Sequence, residues 1–207
     1  MTSQPDFRVV IAGAGPVGCI AALRLAEAGI PVLLADRNTT LPEDLRASTF
    51  HPPTLDMLAP LGLDDYVISQ GLIAQTYQYR DRETGIYAEF DLGVLEGLVD
   101  LPYRGQCEQF KLTRHVVDLL DAHPMAEVRL GTELTDYTQD DAGVTVTLRD
   151  AAGDSRVRAE YLLGTDGARS AVRQRMGVEF EGFTYPEQFL VVATEVPVEE
   201  RLKNLAP

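Results

Sequence analysis

A glycine-rich turn between an apolar strand and a helix constrains this chain more than any other feature. Residues 7–12 (FRVVIA) form a short, β-branched apolar run, the pattern of a strand buried on both faces. Gly13-Ala14-Gly15-Pro16-Val17-Gly18 follows without a gap. Residues 19–28 then set Ile20, Leu23 and Ala26 at helical spacing among Ala, Arg and Glu, and Gly29 is a good stop for that helix. Residues 31–36 (PVLLAD) read as a second buried strand, with proline at the first position, where it is tolerated. Strand, turn, helix and strand make one βαβ unit, whose crossover is expected to be right-handed.

Each glycine of the G-x-G-x-x-G pattern has a physical task. Gly13 allows the tight turn, Gly15 lets a pyrophosphate approach the backbone, and Gly18 lets helix and strand pack closely. The helix N-terminus, with its unpaired N–H groups and positive dipole end, then suits a phosphate. Asp36 lies 18 residues beyond Gly18, near the spacing of about 20 expected for the acid that holds ribose hydroxyls. The reading is an α/β, Rossmann-like unit with Gly13, Gly15, Pro16, Val17, Gly18 and Asp36 around a dinucleotide. Arg37 has two readings, a partner for a 2′-phosphate, which favours NADP, or a residue packing beside adenine. This motif alone does not separate NAD from FAD.

Further on, the periodicity predicts short helices over 53–61 and 64–70, strands over 73–80 and 86–90, and a helix over 111–122 with Leu112, Val116, Leu119 and Leu120 on its inner face. Strands are expected at 127–130, 133–139, 144–149 and 156–164, the second and third joined across Asp140-Asp141-Ala142-Gly143 as a hairpin. A short helix follows at 170–176, and another strand begins at 189. The net charge of −14 argues against partnership with nucleic acid or anionic lipid. No apolar stretch is long enough to span a bilayer, no secretory signal is visible, and Cys19 and Cys107 are expected to be reduced, so the expected compartment is the cytoplasm. His51, His115 and His123 share no metal-ligand spacing with other side chains, and no metal is expected.

Three downstream segments carry a family resemblance. Gly164-Thr165-Asp166-Gly167-Ala168-Arg169-Ser170, extended by Arg173, sits between a buried strand and a helix. The segment from Arg46 to Thr54 and the segment Cys107-Glu108-Gln109-Phe110-Lys111-Leu112 precede it. In this order they resemble the FAD-dependent aromatic hydroxylases typified by p-hydroxybenzoate hydroxylase, the group A flavoprotein monooxygenases. The resemblance implies that Asp166 and Gly167 contribute to the FAD site, that Arg46 reaches the phosphate and ribityl region, and that Gln109 touches the flavin tail. Where the family often carries a further arginine, this chain has Pro53. The implied fold is the GR2-type flavoprotein domain, with a β-meander and the start of a substrate-domain sheet. Residues 1–180 are then the FAD-binding domain and 181–207 the beginning of an incomplete substrate-binding domain, with the strands near 73–90 also lining the substrate.

The resemblance also implies a reaction. NAD(P)H reduces FAD, the reduced flavin captures O2, and one oxygen atom reaches an electron-rich phenolic ring. The cofactor carries that chemistry, so no catalytic side chain is expected from the protein. Family members are longer, and their third FAD motif, a Gly-Asp pair, lies beyond the last residue here. The expectation is a truncated hydroxylase, inactive or unstable alone unless a second chain supplies the remainder, and the partners expected are a homo-oligomer or a complementing C-terminal chain. Other readings are a flavin enzyme of different chemistry on the same scaffold and a non-catalytic nucleotide-binding fragment. A flavin halogenase is disfavoured by the absence of Trp. A plain NAD(P) dehydrogenase leaves Asp166 to Arg173 unexplained.

Overall fold

In the computed structural model, which describes residues 6–43, 47–81, 83–188 and 196–197, the opening apolar run forms β1 (Phe7–Ala12) and leads into α1 (Pro16–Glu27) and β2 (Val32–Asp36). Then come β3 (Thr49–Phe50), α2 (Pro52–Leu58), a 3-10 turn (Ala59–Leu61), α3 (Leu63–Ser69), β4 (Leu72–Ala74), β5 (Thr76–Asp81), β6 (Gly85–Asp91) and β7 (Arg104–Gln106). The remainder is α4 (Gln109–Asp121), β8 (Ala126–Leu130), β9 (Glu133–Asp140), β10 (Gly143–Asp150), β11 (Gly153–Gly164) and α5 (Ala171–Arg175). Among the described residues, no helix is long and apolar enough to cross a membrane.

Two compact units result. The first comprises Met1–Ser48 and Glu108–Glu179, the second Thr49–Cys107 and Phe180–Pro207. The first is built on a six-stranded sheet in the order β8-β2-β1-β11-β10-β9. β8, β2, β1 and β11 run parallel, and β9 to β11 form the expected antiparallel meander. Alternation along β1 sorts its side chains between two cores. Val10 and Ala12 join Leu33, Ala35, Val146, Leu148, Ala159 and Val172 on one face. On the other side α1 packs on β1, β2 and β8 and against α4, burying Cys19, Ala22 and Leu23 with Leu112, Val116 and Leu120. The buried stripe of α4 also takes in Thr113 and Val117, while Leu119 is 38% exposed. Leu119 therefore belongs to the edge of the stripe rather than its centre, a correction to the expected inner face.

The second unit holds two small sheets, β3-β7-β4 and β5-β6. Residues 73–80, expected as one strand, are two. Ala74 pairs with Arg104 in the first sheet, whereas Thr76 pairs with Asp91 in the second. Gln75 is the switch between them, and its carbonyl accepts from Leu92 N (2.9 Å). The strands β3 and β7 are too short to give a periodic signal. The expected strand from 189, and with it the start of the substrate-domain sheet, lies outside the described residues apart from Val196.

Both cysteines are buried, and neither forms a disulfide. The Cys19 thiol donates to the Ala14 carbonyl at 3.3 Å. Burial, with a smaller contribution from the Asp36 carboxylate, pushes its pKa up to about 12 from 9.0. Between those two values the unfolded chain has lost this proton and the folded chain keeps it. The thiol therefore costs no stability below pH 9 and withdraws stability as pH rises above it. Thermal midpoints followed into alkaline pH are expected to fall more steeply for the wild-type protein than for C19A, and parallel curves would remove this assignment.

Candidate functional site

The first unit contains a cavity of about 270 Å³ where the parallel strands end, the position at which open α/β sheets bind ligands. Gly13, Gly15 and Pro16 line it from the first turn, Asp36 and Arg37 from the end of β2, Gln109 from the start of α4, and Asp166 and Gly167 from the turn after β11. Two of the candidates stand outside the lining, and a third is not among the described residues. Gly18 is buried beneath the turn, Val17 is 68% exposed and outside the lining, and Arg46 lies outside the described residues. Val17 and Gly18 bear on the turn through the backbone alone. They are the second and third residues of α1, where N–H groups have no partner within the helix. Gly15 offers no side-chain cap, and no acidic residue occupies the first turn.

The two glycine turns meet. Gly13 has φ +104°, and a Cβ placed on it would lie 2.6 Å from the Thr165 carbonyl oxygen and 2.8 Å from Asp166 Cα. Thr165 N donates to the Ala12 carbonyl at 2.9 Å. β1 and β11 are neighbouring parallel strands, with Ala12 opposite Gly164, so their following turns leave the sheet side by side. Gly15 differs from its neighbours, since a Cβ there would find no atom within 4 Å. The turn therefore keeps room at the point where a phosphate would approach.

The carboxylates are engaged as follows. Asp36 Oδ2 accepts from Ala14 N (2.8 Å), and Oδ1 accepts from the backbone N and side-chain Nδ2 of Asn38 (both 2.8 Å). A carboxylate has about four acceptor positions, so Asp36 holds the turn and keeps capacity for one further donor. Asp166 faces its own helix. Its Oδ1 accepts from Ser170 Oγ at 2.5 Å, and Oδ2 from Ala171 N (2.5 Å) and Val172 N (3.2 Å). Ser170 caps the same helix by accepting from Arg173 N at 3.0 Å. What Asp166 and Gly167 present to the cavity is thus the backbone of a turn with Gly167 at φ +82°. Arg37 and Arg169 both line the cavity, and among the described residues neither is paired with a carboxylate.

Sequence reasoning missed Thr132, Glu133 and Leu134, which close the cavity where β8 turns into β9. Thr132 N donates to the Asp36 carbonyl and Gly131 N to the Asn38 carbonyl, both at 2.8 Å. No local pattern marks these residues. They reach the site because β8 docks beside β2, a pairing 90 residues or so apart in sequence. Thr113, in α4, carries no motif in the sequence and also lines the cavity.

The family model described as an FAD binding domain matches residues 6–205. Para-nitrophenol 4-monooxygenase of Pseudomonas sp. (strain WBC-3) is 35% identical over 188 residues, which cover 91% of this chain and 46% of that protein. Among solved structures, p-nitrophenol 4-monooxygenase PnpA from Pseudomonas putida DLL-E4 superposes with a TM-score of 0.83 at 32% identity, covering 86% of this chain and 45% of that one. The flavin-dependent monooxygenase PieE, solved with FAD and substrate, gives a TM-score of 0.75 at 28% identity over 87% of this chain and 34% of its own. The chain spans less than half the length of these relatives.

Proposed function

Because this chain belongs to the FAD-binding domain family, we propose that it is the cofactor-holding front part of an NAD(P)H- and O2-dependent monooxygenase acting on a small phenolic ring. The observation that carries the reading is the contact between the two glycine turns, since one extended dinucleotide can touch both only if they lie together.

The residues present fit that cofactor. The N–H groups of Val17 and Gly18, over the open space at Gly15, would receive the pyrophosphate. The remaining acceptor position on Asp36 would take a ribose hydroxyl, and Arg37 would lie near the adenine end. Gln109 and the backbone of Asp166-Gly167 would meet the flavin side, with Arg46 reaching the phosphate and ribityl region. A cavity of about 270 Å³ sits at the lower edge of ligand sites, roughly 300–1,000 Å³, and suits part of such a molecule. When bound, FAD supplies the hydride acceptance and oxygen activation that no side chain here provides. The protein contributes position, charge balance and shelter from water.

In this reading residues 1–180 are the FAD-binding domain and 181–207 the beginning of the substrate-binding domain. The β5-β6 hairpin, with Tyr77, Tyr79 and Phe90 stacked edge to face or tilted, supplies an aromatic wall for a ring. The rest of the substrate site would come from the length that the relatives have in addition, whether on the same polypeptide or on a complementing chain. Two buried cysteines outside any disulfide agree with a cytoplasmic enzyme.

The purified chain is expected to carry a flavin spectrum, or to acquire one with added FAD. A colourless protein that takes up no FAD overturns the proposal. Oxidation of NAD(P)H with and without phenolic compounds then tests the monooxygenase part separately from cofactor binding.

A further inference from the structure

We infer that Thr165 is a positioning residue for the cofactor turn, through a peptide unit clamped from both sides. The Thr165 hydroxyl lies 2.9 Å from the carbonyl oxygens of both Ala12 and Gly13, and it donates to that pair. The Gly13 carbonyl belongs to the same peptide group as the Ala14 N–H. That N–H donates to Asp36 Oδ2 at 2.8 Å. One flat, rigid unit is therefore gripped at its oxygen by the turn after β11 and at its nitrogen by the end of β2. Fixing this plane fixes the direction in which the chain leaves for Gly15 and the first turn of α1, where the unpaired N–H groups are.

The hydroxyl bond is tertiary, since 152 residues separate its partners. Threonine hydroxyls commonly satisfy themselves on carbonyls three or four residues back, as Thr113 does on Phe110 (3.0 Å). Thr165 instead spends its single proton on the opposite turn. The backbone N–H of Thr165 already joins the turns at Ala12, so the fold does not need the side chain to hold β1 to β11. What the hydroxyl adds is the orientation of one peptide, set before any ligand arrives. Preorganisation of this kind raises affinity by lowering the ordering cost on binding.

The test compares wild-type protein with T165V, T165A and T165S, using two readouts. The first is hydrogen exchange without ligand. Loss of one hydrogen bond is expected to speed exchange at the Ala14 amide about fivefold in T165V and T165A, with the amides of β1 unchanged and T165S close to wild type. The second is FAD titration, which rests on the proposed function. Affinity is expected to fall about fivefold in the two variants without the hydroxyl and to return in T165S. T165A covers the case in which the valine methyl disturbs Gly18 and prevents folding. Wild-type exchange and FAD affinity in T165A, or a loss in T165S as large as in T165A, would overturn the inference. If the wild-type chain binds no FAD, the proposed function fails, and the exchange data still decide the role of Thr165.

Discussion

Gly18→Ala is expected to destabilise the first unit severely, with a loss of about 3 kcal/mol, the upper end for forced overpacking. A Cβ at position 18 would stand 1.9 Å from the Gly13 carbonyl oxygen and 2.6 Å from Thr165 Oγ1. The first of these atoms is backbone, and it lies in the clamped Gly13–Ala14 peptide, so no rotamer change removes the overlap. α1 would have to lift from β1, which opens contacts around the buried Cys19 and Ala22. In a protein of this size such a loss lowers the melting temperature by roughly 6–12 °C. Combining G18A with T165A distinguishes the two obstacles. The smaller residue removes the hydroxyl but not the carbonyl, so the double variant is expected to melt no higher than G18A. A single variant that melts with the wild-type protein would show that the helix is not seated as closely as described.

The first 36 residues were legible because their elements are contiguous in sequence. Glycine spacing, apolar runs and the terminal Asp36 all pointed to one βαβ unit, and β1, α1 and β2 form there with ends shifted by only a few residues. The meander was legible for a similar reason, since Asp140 and Gly143 close a local hairpin. Legibility ended where an element's role depends on a distant partner. Residues 73–80 have one continuous strand pattern, yet they change partners at Gln75, from the more distant β7 to the adjacent hairpin strand β6. The site shows the same division. Gly13, Asp36 and Asp166 were readable from motifs, whereas Thr132 and Thr165 matter through bonds to strands that sequence order keeps far away. Side-chain roles were less legible than positions. Asp166 lines the cavity as a contributor to the cofactor site should, but the sequence does not show that its carboxylate is occupied in capping α5.

Gly15→Ala is expected to have the opposite phenotype to Gly18→Ala, three residues away. Gly15 has φ −70° and ψ 176°, extended backbone open to any residue, and an added methyl finds no protein atom within 4 Å. Its structural cost is limited to the poorer helix cap, about 1 kcal/mol or less. The open space that makes the methyl harmless to the fold is the edge of the cavity. There it would hold a pyrophosphate away from the N–H groups of Val17 and Gly18. Hydrogen bonds to a charged group contribute about 1.5–3 kcal/mol each, so losing one or two lowers FAD affinity on the order of a hundredfold. The expected result is a variant that folds and melts near the wild-type temperature and remains colourless at FAD concentrations that saturate the parent. If G15A binds FAD as tightly as the parent, the phosphates do not cross this turn, and the cofactor assignment of the first motif is lost even if the fold stands.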